Sequence, residues 1–526
     1  MQRRSVARAA AIVGAAYIVS NLAGFLARLI INARFGTGAE QDAFRAAFII
    51  PDLLFGLLAG GALASAFIPT YVARLSHNQH AHAWRLAQTV ALIVFAALGA
   101  LAVIAGVFAP QLIATVVARQ FSAAQVALTA SLMRIMLVST VIFGVSGLLM
   151  GVLQSNDAFL APALSPTLYQ LGMVIGATLL AGMGVYGLAW GVVLGALMHL
   201  VVQLPALWRV AMKDWRLREA AQASPNRWLS TSDLKSDVRQ ILRMMPPRVL
   251  GLSAVQVNAL VTVSLASGIA GSVSAINNAF AIMILPLAVI AQAIGTALFP
   301  AISAHAARSE HDQFAASFTQ ALCISIALSA PASIGLIVLG RPIIRILFER
   351  GQFDAQSTAL VAFALAMYGA GLIGHAVLEL VTRGFYALKD SLRPAIFAVA
   401  SMVANIALSL LLMPVFTTLG LLPFGGLALA NSIATALEAI ALYALLARRE
   451  PRIRSRAVAM TLVKSVIAAL GMGGLIVVWL ALAGDGLLAT LAAMAIGATA
   501  YFALSLLVKN DAVQPAISLV ARRFRR

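Results

Sequence analysis

The chain has 526 residues, of which 61% are hydrophobic and 10% charged, against the roughly 25% charged residues of soluble globular proteins. So much apolar surface cannot be gathered into one water-soluble core, because cores stop growing near about 250–300 residues, and it must face lipid. Lys and Arg number 37 against 18 Asp and Glu, a net charge of +19, yet the basic residues sit in short connections between apolar runs, a topology pattern and not a nucleic-acid-binding one.

A transmembrane helix needs about 20 mainly apolar residues. By that measure the first six spans are predicted at 8–33, 43–72, 84–110, 123–153, 160–183 and 186–209. Met1–Arg8 imitates the start of a signal peptide, but the apolar run behind it continues to Ile31, so it is read as an uncleaved first span. The polar stretch Lys213–Asp237 interrupts, and eight further spans are predicted at 240–267, 272–303, 313–339, 356–387, 393–415, 424–447, 458–483 and 486–508.

An even number of spans places both termini on one side. The connections assigned to that side are basic: Arg209, Lys213, Arg216, Arg218, Arg227, Lys235, Arg239 and Arg243 after the sixth span, Arg448–Arg456 after the twelfth, and Arg522–Arg526 in the tail. The opposite side is nearly bare apart from Arg341, Arg345 and Arg350. Both termini are therefore expected on the cytoplasmic side of the membrane.

The same punctuation occurs twice. Gly151–Asp157 followed by Pro162 recurs as Gly384–Asp390 followed by Pro394, Gly187-Leu188-Ala189 as Gly426-Leu427-Ala428, and Pro51, Gly61 and Pro69 as Pro286, Gly295 and Pro300. Six spans per copy is an even number, so the copies enter the membrane in the same orientation, a parallel duplication used by transporters with substrate between the lobes. The fold class is all-α and polytopic, with about 14 transmembrane helices in two six-helix lobes plus two C-terminal helices. The domains are an N-terminal lobe at 1–212, a cytoplasmic linker at 213–239, a C-terminal lobe at 240–448, two additional spans within 457–508, and a basic tail at 509–526.

Enzymatic signatures are absent, with no GxxxxGK[ST], HExxH or GxSxG, and Cys323 as the only cysteine allows neither an intramolecular disulfide nor a Cys-based metal site. His77, His80 and His82 cluster in one connection, which reads as solvated surface because no carboxylate or cysteine joins them locally. No catalytic residues, resident metal or cofactor are expected, beyond Na⁺ or H⁺ as a coupling ion.

Ionisable groups inside apolar runs are costly in hydrocarbon and mark protein interiors or aqueous cavities. Asn21 and Arg28 lie seven apart on one face of the first span, and Asp42, Arg45 and Asp52 follow at the second. These five are the candidate substrate-binding residues, since guanidinium groups take phosphate bidentately. The alternative is that Arg28 and Asp52 pair to pin the first two helices. Arg134, Arg248, Glu379 and Glu438 are likewise expected to be shielded from lipid. Asn258, Glu379, Asn405 and Ser409 are candidates for ion binding or gating, with interhelical hydrogen bonding as the alternative. Breaks at Gly60-Gly61 and Pro69 mark places where the second span can bend.

Four segments, Gly24–Leu54, Gly151–Pro166, Leu347–Asp354 (LFERGQFD) and Arg383–Pro394 (RGFYALKDSLRP), resemble the MurJ/MviN family of lipid II flippases, within the multidrug/oligosaccharidyl-lipid/polysaccharide exporter superfamily. The resemblance runs nearly the whole chain in order. It implies export of the undecaprenyl-linked peptidoglycan precursor from the inner to the outer leaflet by alternating access, driven by membrane potential or an ion gradient; the expected partners are the membrane, the lipid-linked substrate and cell-wall synthesis proteins. Departures fall at the cavity: the family's arginine after Gly-Phe is Ala27, with Arg28 one position on, a second cavity arginine falls at Asn21, and a basic pair becomes Phe55-Gly56. Asp42 is retained. A one-residue displacement turns a helical side chain by about 100°. Two other readings stay open: an exporter of another polyprenyl-linked glycan or amphiphile, and a non-transporting scaffold for cell-wall proteins.

Overall fold

Apolar runs fold in lipid as helices because every backbone polar group must be satisfied within the segment. The computed structural model describes residues 2–58, 61–77, 79–212 and 231–514. Gly60, the basic residues Lys213, Arg216, Arg218 and Arg227, and the tail Arg522–Arg526 lie outside the described residues, as does the side chain of Arg248. Among the described residues, nine helices are long and apolar enough to cross a membrane, ten when one bent pair counts as a span. The other expected spans are helical too. The chain divides into two compact units, 1–270 and 271–526.

The first unit opens with α1 (Gln2–Phe35), ended by Gly36 at φ 58°. The expected single span 43–72 is instead broken into α2 (Ala39–Ala47), α3 (Ile49–Leu58) and α4 (Gly61–Ser76). At the first break the Phe48 N–H turns to the Arg45 carbonyl, and Pro51 sits in the first turn of α3, where its missing N–H costs no helical bond. α5 (His80–Val107) and α6 (Ala123–Ser155) follow, the latter started by a reciprocal cap between Ser122 and Gln125.

α7 (Leu160–Thr178) and α8 (Val185–Val201) zip along a glycine seam. Gly172 and Gly176 face Gly187, Gly191 and Gly195 so closely that a Cβ on Gly172 would stand 2.2 Å from the Gly195 Cα. Only glycine fits such an approach. The unit closes with α9 (Thr231–Ala266), which packs on α3 and α4 and starts ahead of the predicted span.

One sequence expectation is overturned at that start. His82 is not solvated surface: it is buried, with Nε2 2.8 Å from Asp237 Oδ2. Arg74 donates to the same carboxylate from Nε at 2.8 Å and Nη2 at 2.6 Å, joining α4, α5 and α9. Burial pushes the Asp237 carboxyl up, but the hydrogen bonds and charges of Arg74 and His82 outweigh it and hold the carboxyl below its ordinary value. The bond to Asp237 correspondingly raises Arg74. The partner was invisible locally because it lies 155 residues from His82.

The second unit begins with α10 (Ser272–Leu287), a π-helical turn at Ala288–Gln292 behind Pro286, and α11 (Ala293–Ala307). α12 (His311–Phe348) runs past its predicted end into the LFERGQFD turn, where Gly351 takes φ 61° and Asp354 caps the next helix by accepting from the Ser357 N–H at 2.8 Å. α13 (Ala355–Gly369) and α14 (Leu372–Ala387) meet at a 48° bend. α15 (Leu392–Thr418) and α16 (Phe424–Arg449) form the next hairpin. The two extra helices, α17 (Ser455–Ala483) and α18 (Leu487–Leu507), pack on α12, where the Tyr501 hydroxyl donates to the Ala327 carbonyl.

Candidate functional site

Of the charged residues that interrupt the first apolar runs, Arg28 and Arg45 come within interaction range of one another in the first unit. α1 presents an exposed Asn21 and, two turns on, a half-buried Arg28. It packs on α7 through Gly24, whose missing side chain makes room for Gln170. α2 carries Asp42, 1% exposed in its first turn, where a carboxylate complements the helix dipole. One turn later comes Arg45.

Arg45 is the least compensated group of the set. Its guanidinium carbon lies 5.9 Å from the Phe44 ring centroid, its buried Nε has no hydrogen-bond partner, and it forms no ion pair among the described residues. Its charge stands within interaction range of the Arg28 charge and of the Tyr169 hydroxyl, and Tyr169 in turn senses Asp52. Two like charges held together in a low-dielectric span repel unless an anion joins them. Asp52 is exposed on α3 and makes no ion pair with Arg28, so the pinning alternative is not what the side chains do.

Behind the cations stands an aromatic and amide wall that sequence reasoning did not assemble. Phe143 on α6 meets Tyr169 edge-on at 5.0 Å, Phe55 at 5.9 Å and His199 at 5.2 Å. His199 Nδ1 lies 2.7 Å from Ser146 Oγ, which also accepts from Gln203 Nε2 at 2.7 Å. On α9, Gln256 fills the space beside Gly56, with its Nε2 3.1 Å from where a Cβ would stand. The only local signal for these residues was polarity within apolar runs.

The candidates for ion binding or gating are dispersed. Asn258 lies on α9, where its carbonyl accepts from Thr262 Oγ1 at 2.8 Å. Glu379 on α14 is held by Arg383, whose Nη2 is 2.6 Å away and whose Nη1 reaches Thr296. Asn405 and Ser409 share the narrow buried face of α15, which packs chiefly on α16. Glu438 is half-buried and bonds Ser401. Arg134, expected to be shielded, is exposed and donates to the Gly106 carbonyl at the end of α5 at 2.9 Å.

Two duplicated helical units with broken spans, exposed apolar outer faces and cations held inside a span describe a multi-pass membrane transporter. Solved structures share this fold. A "Lipid II flippase MurJ, inward closed conformation" matches with a TM-score of 0.78 at 22% identity, covering 95% of this chain and 99% of that one. A multidrug resistance MATE family transporter of the MOP superfamily, in an inward-facing conformation, matches with a TM-score of 0.66 at 17% identity, covering 83% and 95%. The family model described as "Lipid II flippase MurJ" matches residues 31–496. The chain belongs to the MurJ family. Among relatives, the lipid II flippase MurJ of Burkholderia cenocepacia is 29% identical over 437 residues, 82% of each chain. The probable lipid II flippase MurJ of Rhizobium tropici is 30% identical over 491 residues, 90% of this chain and 88% of that one.

Proposed function

We propose that this chain is a flippase that carries lipid II from the inner to the outer leaflet of the bacterial cytoplasmic membrane by alternating access, with both termini cytoplasmic. The observation that carries the reading is Arg45, a guanidinium inside a span with no carboxylate partner and beside the Arg28 charge. A phosphorylated head group supplies the missing anion, because each guanidinium offers a planar pair of donors to phosphate oxygens. Tyr169, Gln170 and Gln256 add neutral donors for the remainder of a polar head group. Asp52, an exposed carboxylate without an ion pair, is where a coupling Na⁺ or H⁺ would bind.

The test is complementation. A bacterium depleted of its resident lipid II flippase and expressing this chain is followed for survival and for lipid II exposed on the outer leaflet. Rescue is expected, with Arg45→Ala lowering exposure roughly tenfold, the scale of one charge-assisted hydrogen bond, and Arg45→Lys restoring part of it. Full activity of Arg45→Ala and Arg28→Ala would overturn the assignment of the site. A second reading, export of another polyprenyl-linked glycan or amphiphile, is favoured by Asn21 and Ala27, which stand where the resemblance implies cavity arginines, and by Phe55-Gly56, which stand where it implies a basic pair. Failure to rescue despite verified membrane insertion selects it.

A further inference from the structure

The turn between α14 and α15 in the second unit, together with the end of α16, surrounds a surface cavity of about 750 Å³ lined by Leu388–Arg393, Leu445, Arg448 and Arg449. Four cations, Lys389, Arg393, Arg448 and Arg449, meet a single carboxylate, Asp390. That carboxylate is already engaged: it accepts from Arg393 Nη1 at 2.9 Å, from Arg449 Nη1 at 2.9 Å and from the Arg393 backbone N–H at 3.2 Å. Asp390 therefore aligns two guanidinia and leaves Lys389 and Arg448 without a carboxylate among the described residues. Two other acids of the second unit are taken as well, Glu450 by His311 at 2.9 Å and Asp312 by Arg452 at 3.2 Å.

The turn itself does not require these charges. In the first unit the matching turn places Asp157 at φ 59°, as Lys389 stands at φ 58°, and both are closed by the same pair of backbone bonds. Residues 155–160 there carry no cation. The cations on this turn, Lys389 and Arg393, are thus a feature of the second copy.

Its apolar margin indicates what it holds. Leu392 at the cavity is 68% exposed, and Ile396, Val399 and Val403, also exposed, continue from it at helical spacing along the outer face of α15. A cationic cavity whose rim runs into a lipid-facing apolar stripe fits an amphiphile with a phosphate at one end and acyl chains at the other. We infer that this cavity binds the phosphate of an anionic phospholipid of the surrounding leaflet, with Lys389 and Arg448 as the binding charges, Arg393 and Arg449 oriented by Asp390, and an acyl chain laid along Leu392–Val403. The site is built entirely from residues of the second unit and does not depend on the transported substrate.

The experiment uses the purified full chain in detergent, titrated with dioleoylphosphatidylglycerol or dioleoylphosphatidylcholine and read by native mass spectrometry for retained lipid and by thermal unfolding. Phosphatidylglycerol is expected to be retained in preference to phosphatidylcholine and to raise the unfolding temperature. The variant Lys389→Gln/Arg448→Gln is expected to lose roughly 25-fold in apparent affinity, about fivefold per cation at a membrane surface. Lys389→Arg/Arg448→Lys, which keeps the charge, is expected to bind as the parent does and shows that the loss is not misfolding. Equal retention of phosphatidylcholine, or unchanged retention in the double Gln variant, overturns the proposal. So does displacement of phosphatidylglycerol by millimolar inorganic phosphate, which would make the cavity a site for soluble phosphate.

Discussion

Residues 123–155 and 355–387 occupy the same place in the two copies, yet the first is a single 33-residue helix and the second is two helices bent by 48°. In α6 the ladder is unbroken, and the Ser139 hydroxyl bonds its own helix at the Met136 carbonyl. In α13–α14 the bend frees carbonyls in the membrane interior, where an unsatisfied one costs several kcal/mol. Neighbouring helices supply the donors: Ser333 on α12 reaches the Gly369 carbonyl at 2.6 Å, and Ser432 on α16 reaches that of Met367 at 2.8 Å. Gly371 lets α16 come close enough, since a Cβ there would stand 2.5 Å from Ser432 Oγ. A repeat can therefore keep its helical register and still acquire a bend, provided the next layer carries hydroxyls at the right height.

The hairpins differ in the same spirit. Pro162 and Pro394 are 232 residues apart, and at that spacing Gly172 and Gly176 fall on Ala404 and Leu408. The first unit joins α7 to α8 by backbone contact along a seam of five glycines, whereas the second makes such an approach at Gly426, against the backbone of Leu412 and Met413, and buries Asn405 and Ser409 on α15. Hence Gly176→Leu, which installs the second unit's residue in the first, is expected to abolish folding. Its Cβ would meet the Gly187 carbonyl at 2.6 Å and the Gly191 Cα at 2.7 Å, and backbone cannot yield as a side chain can, so the loss is about 3 kcal/mol or more. Size-exclusion profiles of fluorescently tagged protein check it, and Leu408→Gly in the second unit should leave a folded peak.

A smaller effect is expected at the helix corners. In the first unit Arg74, His82 and Asp237 close over one another, the last two nearly inaccessible, while the second unit's His311–Glu450 pair leaves His311 half exposed. Asp237→Ala strands a buried cluster and should cost about 3 kcal/mol, against less than about 1 kcal/mol for His311→Ala. The sign with pH follows from the lowered Asp237 carboxyl: its stabilisation is complete above the ordinary carboxylate value of about 3.9 and fades as pH falls through the depressed one. Thermal unfolding of Asp237→Asn should show a lower midpoint at neutral pH and a weaker acid dependence below about pH 4. An identical acid profile would assign the acid transition to other groups.

The smallest effect sharpens the first contrast. Ser432→Ala removes one cap at the bend and should lower stability by about 0.5–1 kcal/mol, the usual worth of an interhelical hydrogen bond in a membrane. Ser139→Ala in the unbroken α6 should change the unfolding midpoint hardly at all. If the two substitutions were equivalent, the serines would not be what holds the bend.

Hydropathy by itself determined that this is an all-α membrane protein and roughly where its apolar helices run, because length and apolarity are local properties that a spanning helix cannot evade; the duplication was read instead from recurring glycine and proline landmarks such as Gly151–Pro162 and Gly384–Pro394. Asn21, Arg28, Asp42, Arg45 and Asp52 were legible as candidates for the same reason: polar atoms in an apolar run need a partner or a cavity. What the tertiary structure alone decided is which partner each found. It broke the second span into three, buried His82 against a carboxylate 155 residues away, and left Arg45 beside Arg28 without an acid. A charge or a freed carbonyl is satisfied by groups close in space and remote in sequence, so the pattern that announces the need for a partner carries no information about who the partner is.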